Sequence, residues 1–133
     1  MRVLVVDDSC LVRKRLVEML RDSCVLEVHE ACDTDQAERL LEDTRIDILV
    51  LDMHIGPNSG LDFMSVVKGR MPHVAVLILT NDAGDAHRRE CLLRGADYFF
   101  DKSRQFELAV EIAIAHAVGR PAGPAPPDAG TPS

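Results

Sequence analysis

Arg2-Val3-Leu4-Val5-Val6-Asp7-Asp8 runs an unbroken aliphatic segment straight into two acids, and the rest of the chain repeats that grammar. Asp47–Leu51 leads into Asp52, Val74–Leu79 into Thr80-Asn81, and Asp97–Phe100 into Asp101-Lys102. The first three of these runs are almost continuously apolar, as in strands covered on both faces, whereas Val25–Glu30 alternates with polar residues like an edge strand. Longer amphipathic stretches separate them. After the first run, Val12, Leu16, Met19 and Leu20 form a stripe opposite Arg13, Lys14 and Arg21. Asp33 with Gln36, and Ser59 with Asp62, have the pattern of helix N-caps. Gly95 ends the fourth helical stretch, and Ser103 is placed to cap the fifth. Five strand–helix units in about 118 residues leave no room for large insertions, which predicts one doubly wound, five-stranded parallel α/β sheet.

Composition bounds the function. The 133 residues hold 15 basic and 22 acidic side chains, a net charge of −7 that argues against general binding to nucleic acid or an anionic membrane. No apolar run approaches the roughly 20 residues needed to span a bilayer. The acids at positions 7 and 8 come too early for a signal peptide, and the expected location is the cytoplasm. Cys10, Cys24, Cys32 and Cys91 lack metal-ligand and disulfide-scaffold spacing, which predicts reduced, mostly packed thiols. Residues 119–133 hold five of the seven prolines and three of the eight glycines, so a 1–118 domain with a flexible Pro/Ala/Gly-rich tail is expected.

In a doubly wound sheet, function collects outside the carboxyl ends of the strands. There the chain places Asp7, Asp8, Asp52, Thr80, Asn81 and Lys102. Three ionised carboxylates in one pocket repel, so an empty site should either raise one carboxylate pKa or recruit a cation; Mg²⁺ suits carboxylate and phosphate oxygens and keeps part of its water shell. With Mg²⁺ and Lys102 the formal charge cancels, and turning one carboxylate into a phosphoryl group adds only about one further negative charge.

On these residues the chain resembles the receiver domain of bacterial two-component response regulators. The matching pieces are Asp7-Asp8, Asp52, Gly60 eight residues later, Thr80, and the run from Gly95 to Lys102. The resemblance implies a flavodoxin-like (β/α)5 sheet of strand order 2-1-3-4-5. It also implies that Asp52 accepts a phosphoryl group from a sensor histidine kinase or phosphotransfer protein. Asp8 and Asp52 would ligate Mg²⁺ (or Mn²⁺), with Asp7 acting through water and the His54 backbone carbonyl as a further ligand. Lys102 would grip the phosphoryl group and the Thr80 hydroxyl would donate to it. Phe99, three residues before Lys102, matches the family's switch aromatic. Output would be a protein contact on the face of the fourth helix, fifth strand and fifth helix, which makes the chain a signalling switch and not a turnover enzyme.

Other residues have quieter readings. His54, two residues past Asp52, and Asp82, two past Thr80, flank the acceptor and are candidates for tuning phosphoryl lifetime. The remaining histidines are expected at the surface. Arg13-Lys14-Arg15 reads as a solvated helix face, and in the resembled family the first helix docks the kinase. The fifth helix carries apolar residues nearly all round, from Phe106 to Val118, so it is either deeply buried or an interface to a target or a second copy. Three departures from the family pattern stand out. Ser103 replaces the proline after the fifth-strand lysine, predicting a trans 102–103 bond; Gly56-Pro57 displaces a proline by one; Asn81 replaces a small residue.

A flavodoxin-like cofactor binder is disfavoured because Asp7-Asp8 would repel a phosphate. A haloacid-dehalogenase-type phosphatase is disfavoured because Ser9 stands where its second acid belongs. A receiver-like adapter that works without phosphorylation remains the alternative.

Overall fold

A computed structural model describes residues 1–24, 26–55 and 58–119. The expected tail from 120 onward and the Gly56-Pro57 pair lie outside the described residues. The elements run β1 (Arg2–Val6), α1 (Cys10–Arg21), β2 (Glu27–Ala31), α2 (Thr34–Asp43), β3 (Ile48–Leu51), β4 (His54–Ile55), β5 (Asn58–Ser59), α3 (Gly60–Arg70), β6 (Ala75–Thr80), α4 (Asp85–Leu93), β7 (Tyr98–Asp101) and α5 (Phe106–Ala117). Five strands pair in parallel in the order β2-β1-β3-β6-β7, the order expected, with β6 and β7 as the fourth and fifth predicted strands. The short antiparallel β4–β5 pair was not foreseen; it begins two residues after Asp52.

Strand alternation builds the two layers. Leu4, Val6, Leu49, Leu51, Val76, Ile78 and Phe99 point to one face, where they pack with residues of α2, α3 and α4. Val3, Val5, Ile48, Val50, Leu77, Leu79 and Phe100 point to the other, against α1 and α5. β1, β3 and β6 are therefore apolar on both faces, as their unbroken runs required, while β2 sits at the edge with Glu27 and Glu30 exposed.

Local chemistry sets the helix starts. Ser9 caps α1 by accepting from Val12 N, Asp33 caps α2 through Gln36 N, and Ser59 caps α3 through Asp62 N. Beyond α4, Gly95 takes φ +115°, a conformation that favours glycine. Lys68 of α3 ties the base of the sheet together: its Nζ donates to Val74 O and to Asp97 Oδ2, each at 3.0 Å, and Asp97 Oδ2 also accepts from Val76 N.

Gly60 is fixed by space. Its N–H donates to Met53 O at 2.7 Å, and a Cβ there would lie 2.1 Å from the Asp52 carbonyl oxygen and 2.8 Å from Met53 Cα. All of these are backbone atoms, so nothing flexible can give way. Gly60→Ala is therefore expected to destabilise the fold by about 1–3 kcal/mol. Gly69→Ala, an exposed position on the same helix whose added methyl meets nothing within 4 Å, is expected to stabilise it by about 0.4–1 kcal/mol. Urea unfolding midpoints of the two variants, measured against the parent chain, check the opposite signs.

Candidate functional site

The carboxyl ends of β1, β3 and β7 meet at Lys102. Its ammonium donates to Asp7 Oδ2 at 2.6 Å and to Asp52 Oδ2 at 2.7 Å. The Asp7 and Lys102 side chains are 4% and 7% exposed and that of Asp52 12%, so the bridge is nearly closed off from solvent and is most open at Asp52. Burial alone would push the Lys102 ammonium down; the hydrogen bonds and charges of Asp52 and Asp7 outweigh it and hold the group above its ordinary range, so it stays charged at neutral pH. The remaining oxygens are also used, with Asp7 Oδ1 accepting from Ser9 N and Asp52 Oδ1 from His54 N. Asp8, at the same edge, is exposed.

Arg13 turns inward, correcting its expected place on a solvated face. Its side chain is 16% exposed; Nη1 donates to the Asp7 carbonyl at 2.8 Å and Nε to Glu30 at 2.9 Å. The signal was present, since Arg13 shares a helix face with Leu16, Val17 and Leu20 at i+3, i+4 and i+7, whereas Lys14 and Arg15 do not. Arg15 lies over the Phe106 ring, 4.6 Å from its centroid, and links α1 to α5.

Asp52, His54, Thr80, Asn81 and Asp82 line an open depression of about 450 Å³. Thr80 is buried, and its hydroxyl oxygen accepts from Asp82 N at 3.2 Å, which leaves its proton able to serve another acceptor. Across the mouth, His54 Nε2 lies 2.9 Å from Asp82 Oδ2, and His87 of α4 lies 3.2 Å from the other carboxylate oxygen. The hydrogen bond from His54, with the charges of both imidazoles, holds the Asp82 carboxyl below its ordinary range. His87 escaped the sequence reading because its spacing from Asp82 acquires meaning only when the loop before α4 turns back. Phe99 is buried within the α2–α3–α4 face.

Ser103 does not cap α5. The helix begins at Phe106, and Ser103 N and Oγ both donate to Asp101 Oδ1, at 2.9 and 2.7 Å. Those bonds hold the Asp101 carboxyl below its ordinary range. No peptide bond among the described residues is cis, in keeping with the trans 102–103 bond expected.

The cysteines also need correcting. Cys91 is buried, and desolvation pushes its thiol up to about 11; Cys10 and Cys24 are exposed and Cys32 half-buried. All four are free, but most are not packed. On α5, Phe106, Ala109, Val110, Ile112 and Ala113 are buried, while Leu108, Ile114 and Ala115 stay half-exposed.

The donor chemistry suits a hard divalent cation, because Asp7, Asp8 and Asp52 offer only oxygen and outnumber the one ammonium among them. In the arrangement described, the two inner carboxylates turn to Lys102, and no three His, Cys, Asp or Glu side chains among the described residues converge as a metal cluster. No helix among the described residues is long and apolar enough to cross a membrane.

Comparison with known proteins places this geometry. The chain is 30% identical over 97% of its length to a protein-glutamate methylesterase/protein-glutamine glutaminase 2 of Caulobacter vibrioides, of which it covers 40%. It spans well under half the length of the curated relatives it matches. A signal receiver domain of a DNA-binding response regulator from Colwellia psychrerythraea superposes with a TM-score of 0.83 at 20% identity, covering 90% of this chain and 99% of that one. A response regulator from Burkholderia pseudomallei, solved with a phosphorylated aspartic acid, a calcium ion and citrate, gives 0.74 at 25% identity, covering 90% of this chain and 75% of that one. The model of the response regulator receiver domain matches residues 3–113, and the chain belongs to that family.

Proposed function

We propose that Asp52 is the phosphoacceptor of a Mg²⁺-dependent switch, loaded from the phosphohistidine of a sensor kinase or a phosphotransfer protein. The observation that carries this reading is the Lys102 ammonium shared by Asp7 and Asp52, a cation held beside a carboxylate that opens onto an accessible depression. A carboxylate oxygen of Asp52 attacks phosphorus, the phosphorus–nitrogen bond breaks, and the leaving imidazole keeps the electron pair and takes a proton. Lys102, already charged, turns from carboxylate to phosphoryl oxygen. The Thr80 hydroxyl, which accepts from Asp82 N, donates its proton to that group, and Phe99, paired with Ile78 on the neighbouring strand, is the switch aromatic. Mg²⁺, held by Asp8, Asp52, the His54 carbonyl and, through water, Asp7, would supply charge neutralisation for the nucleophile and the incoming oxygens. The Burkholderia relative, with its phosphorylated aspartic acid and calcium ion, supports this assignment.

The receiver unit is residues 1–118, acting in the cytoplasm as a switch and not as an enzyme in its own right. Output is a protein contact on the face of α4, β7 and α5, where the half-exposed apolar strip of α5 suits a downstream target or a second copy of the chain.

Intact mass after incubation with acetyl phosphate tests the central claim. A single phosphoryl adduct is expected with Mg²⁺, none without it, and none in Asp52→Asn. An adduct that persists in Asp52→Asn would refute the assignment, and no adduct despite bound Mg²⁺ would favour either strict dependence on a cognate kinase or the phosphorylation-independent adapter. Lys102→Gln is expected to slow adduct formation roughly 100-fold. The same variant should bind Mg²⁺ more tightly by calorimetry, because the ammonium no longer competes for Asp7 and Asp52. His54→Ala and Asp82→Ala are expected to change phosphoryl lifetime non-additively. A double-mutant cycle on the dephosphorylation rate, followed by mass, reads that coupling.

A further inference from the structure

The segment after β7 is tied more closely than its length suggests. Five hydrogen bonds converge on Asp101: Ser103 N and Ser103 Oγ donate to its Oδ1, Arg104 N and Gln105 N donate to its carbonyl at 3.3 and 2.7 Å, and its own N–H donates to Gln105 Oε1 at 2.9 Å. Lys102, inside this knot, donates its backbone N–H to Thr80 O at 2.9 Å. The lysine backbone is therefore held on both sides, by the neighbouring strand and by the closed loop. A side chain with four rotatable bonds that must reach two carboxylates gains most from a fixed starting point.

We propose that Asp101 and Ser103 are positioning residues that form a clasp around Lys102 and aim its ammonium at Asp7 and Asp52. Serine stands here where the resembled family has proline. A ring restricts the backbone covalently; Asp101 and Ser103 restrict it with two hydrogen bonds to one oxygen. The bonds of the clasp stay within residues 101–105 and none reaches Asp7 or Asp52, so it acts through Lys102.

The inference rests on the proposed phosphoryl chemistry for its kinetic arm only. The test uses the full chain with Ser103→Ala, Asp101→Ala and Asp101→Asn, and reads two things. The first is the ¹⁵Nζ–H signal of Lys102, visible because the ammonium is buried and bonded, and assigned by its loss in Lys102→Gln. The second is the initial rate of adduct formation from acetyl phosphate at saturating Mg²⁺. In Asp101→Ala the Lys102 signal is expected to broaden or vanish and the rate to fall roughly 10- to 100-fold. Ser103→Ala, an exposed and mild change, should shift the signal and slow the rate a few-fold. Asp101→Asn, whose amide oxygen still accepts from Ser103 N, should keep most of both. An unchanged Lys102 signal in folded Asp101→Ala and Ser103→Ala would overturn the clasp, as would Asp101→Asn losing as much as Asp101→Ala. If the parent chain takes no phosphoryl group from acetyl phosphate, the kinetic arm falls away, and the Lys102 signal alone decides the clasp.

Discussion

One ammonium shared by two carboxylates organises this molecule. Lys102 reaches Asp7 across 95 residues of sequence and Asp52 across 50, and it does so in a place where stripping water from three charges is costly. The sheet makes the meeting possible. β1 and β3 run in register from Val3↔Ile48 to Val6↔Leu51, so the residues that follow them emerge side by side, and Asp52 N donates back to Val6 O at 3.3 Å. β6 and β7 end together at Thr80↔Asp101, which brings Lys102 to the same edge. The buried side chains of Phe99 and Phe100, on opposite faces, leave β7 no freedom to slip, because a shift of one residue would exchange the two layers.

The same reasoning separates what the chain declares openly from what it conceals. Unbroken aliphatic runs declared β1, β3 and β6, since a strand covered on both faces has no polar side to show. Ser9, Asp33 and Ser59 cap their helices through bonds that each span three residues, though only the caps at Asp33 and Ser59 were foreseen. Asp7, Asp8, Asp52, Thr80 and Lys102 were visible because each ends or follows a strand, and parallel strands end together. Arg13 was misread because the apolar stripe was drawn through Val12 and Met19; the buried face is Leu16, Val17 and Leu20, and including Val17 turns it toward Arg13. Ser103 was misread because an oxygen two residues from an aspartate and three before a helix has two local uses, and only the closed loop shows that Asp101 claims it. The β4–β5 pair, two residues on each strand, has no periodicity to detect.

These contacts also constrain how a charge change at Asp52 can be felt elsewhere. Lys102 holds Asp7 and Asp52 together, so any group that draws its ammonium away leaves two carboxylates facing each other with less compensation. Thr80 is bonded through its hydroxyl oxygen to Asp82 N, and Asp82 is bonded through its carboxylate to His54 on one side and His87 on the other. Because the Thr80 hydroxyl oxygen accepts from Asp82 N, its proton can serve a further acceptor without releasing that loop, and any movement of the side chain carries the loop with it. The loop, in turn, holds the β4 strand and the first turns of α4. With the layer beneath α2, α3 and α4 closely packed, a shift of this loop is not absorbed by compression of the core.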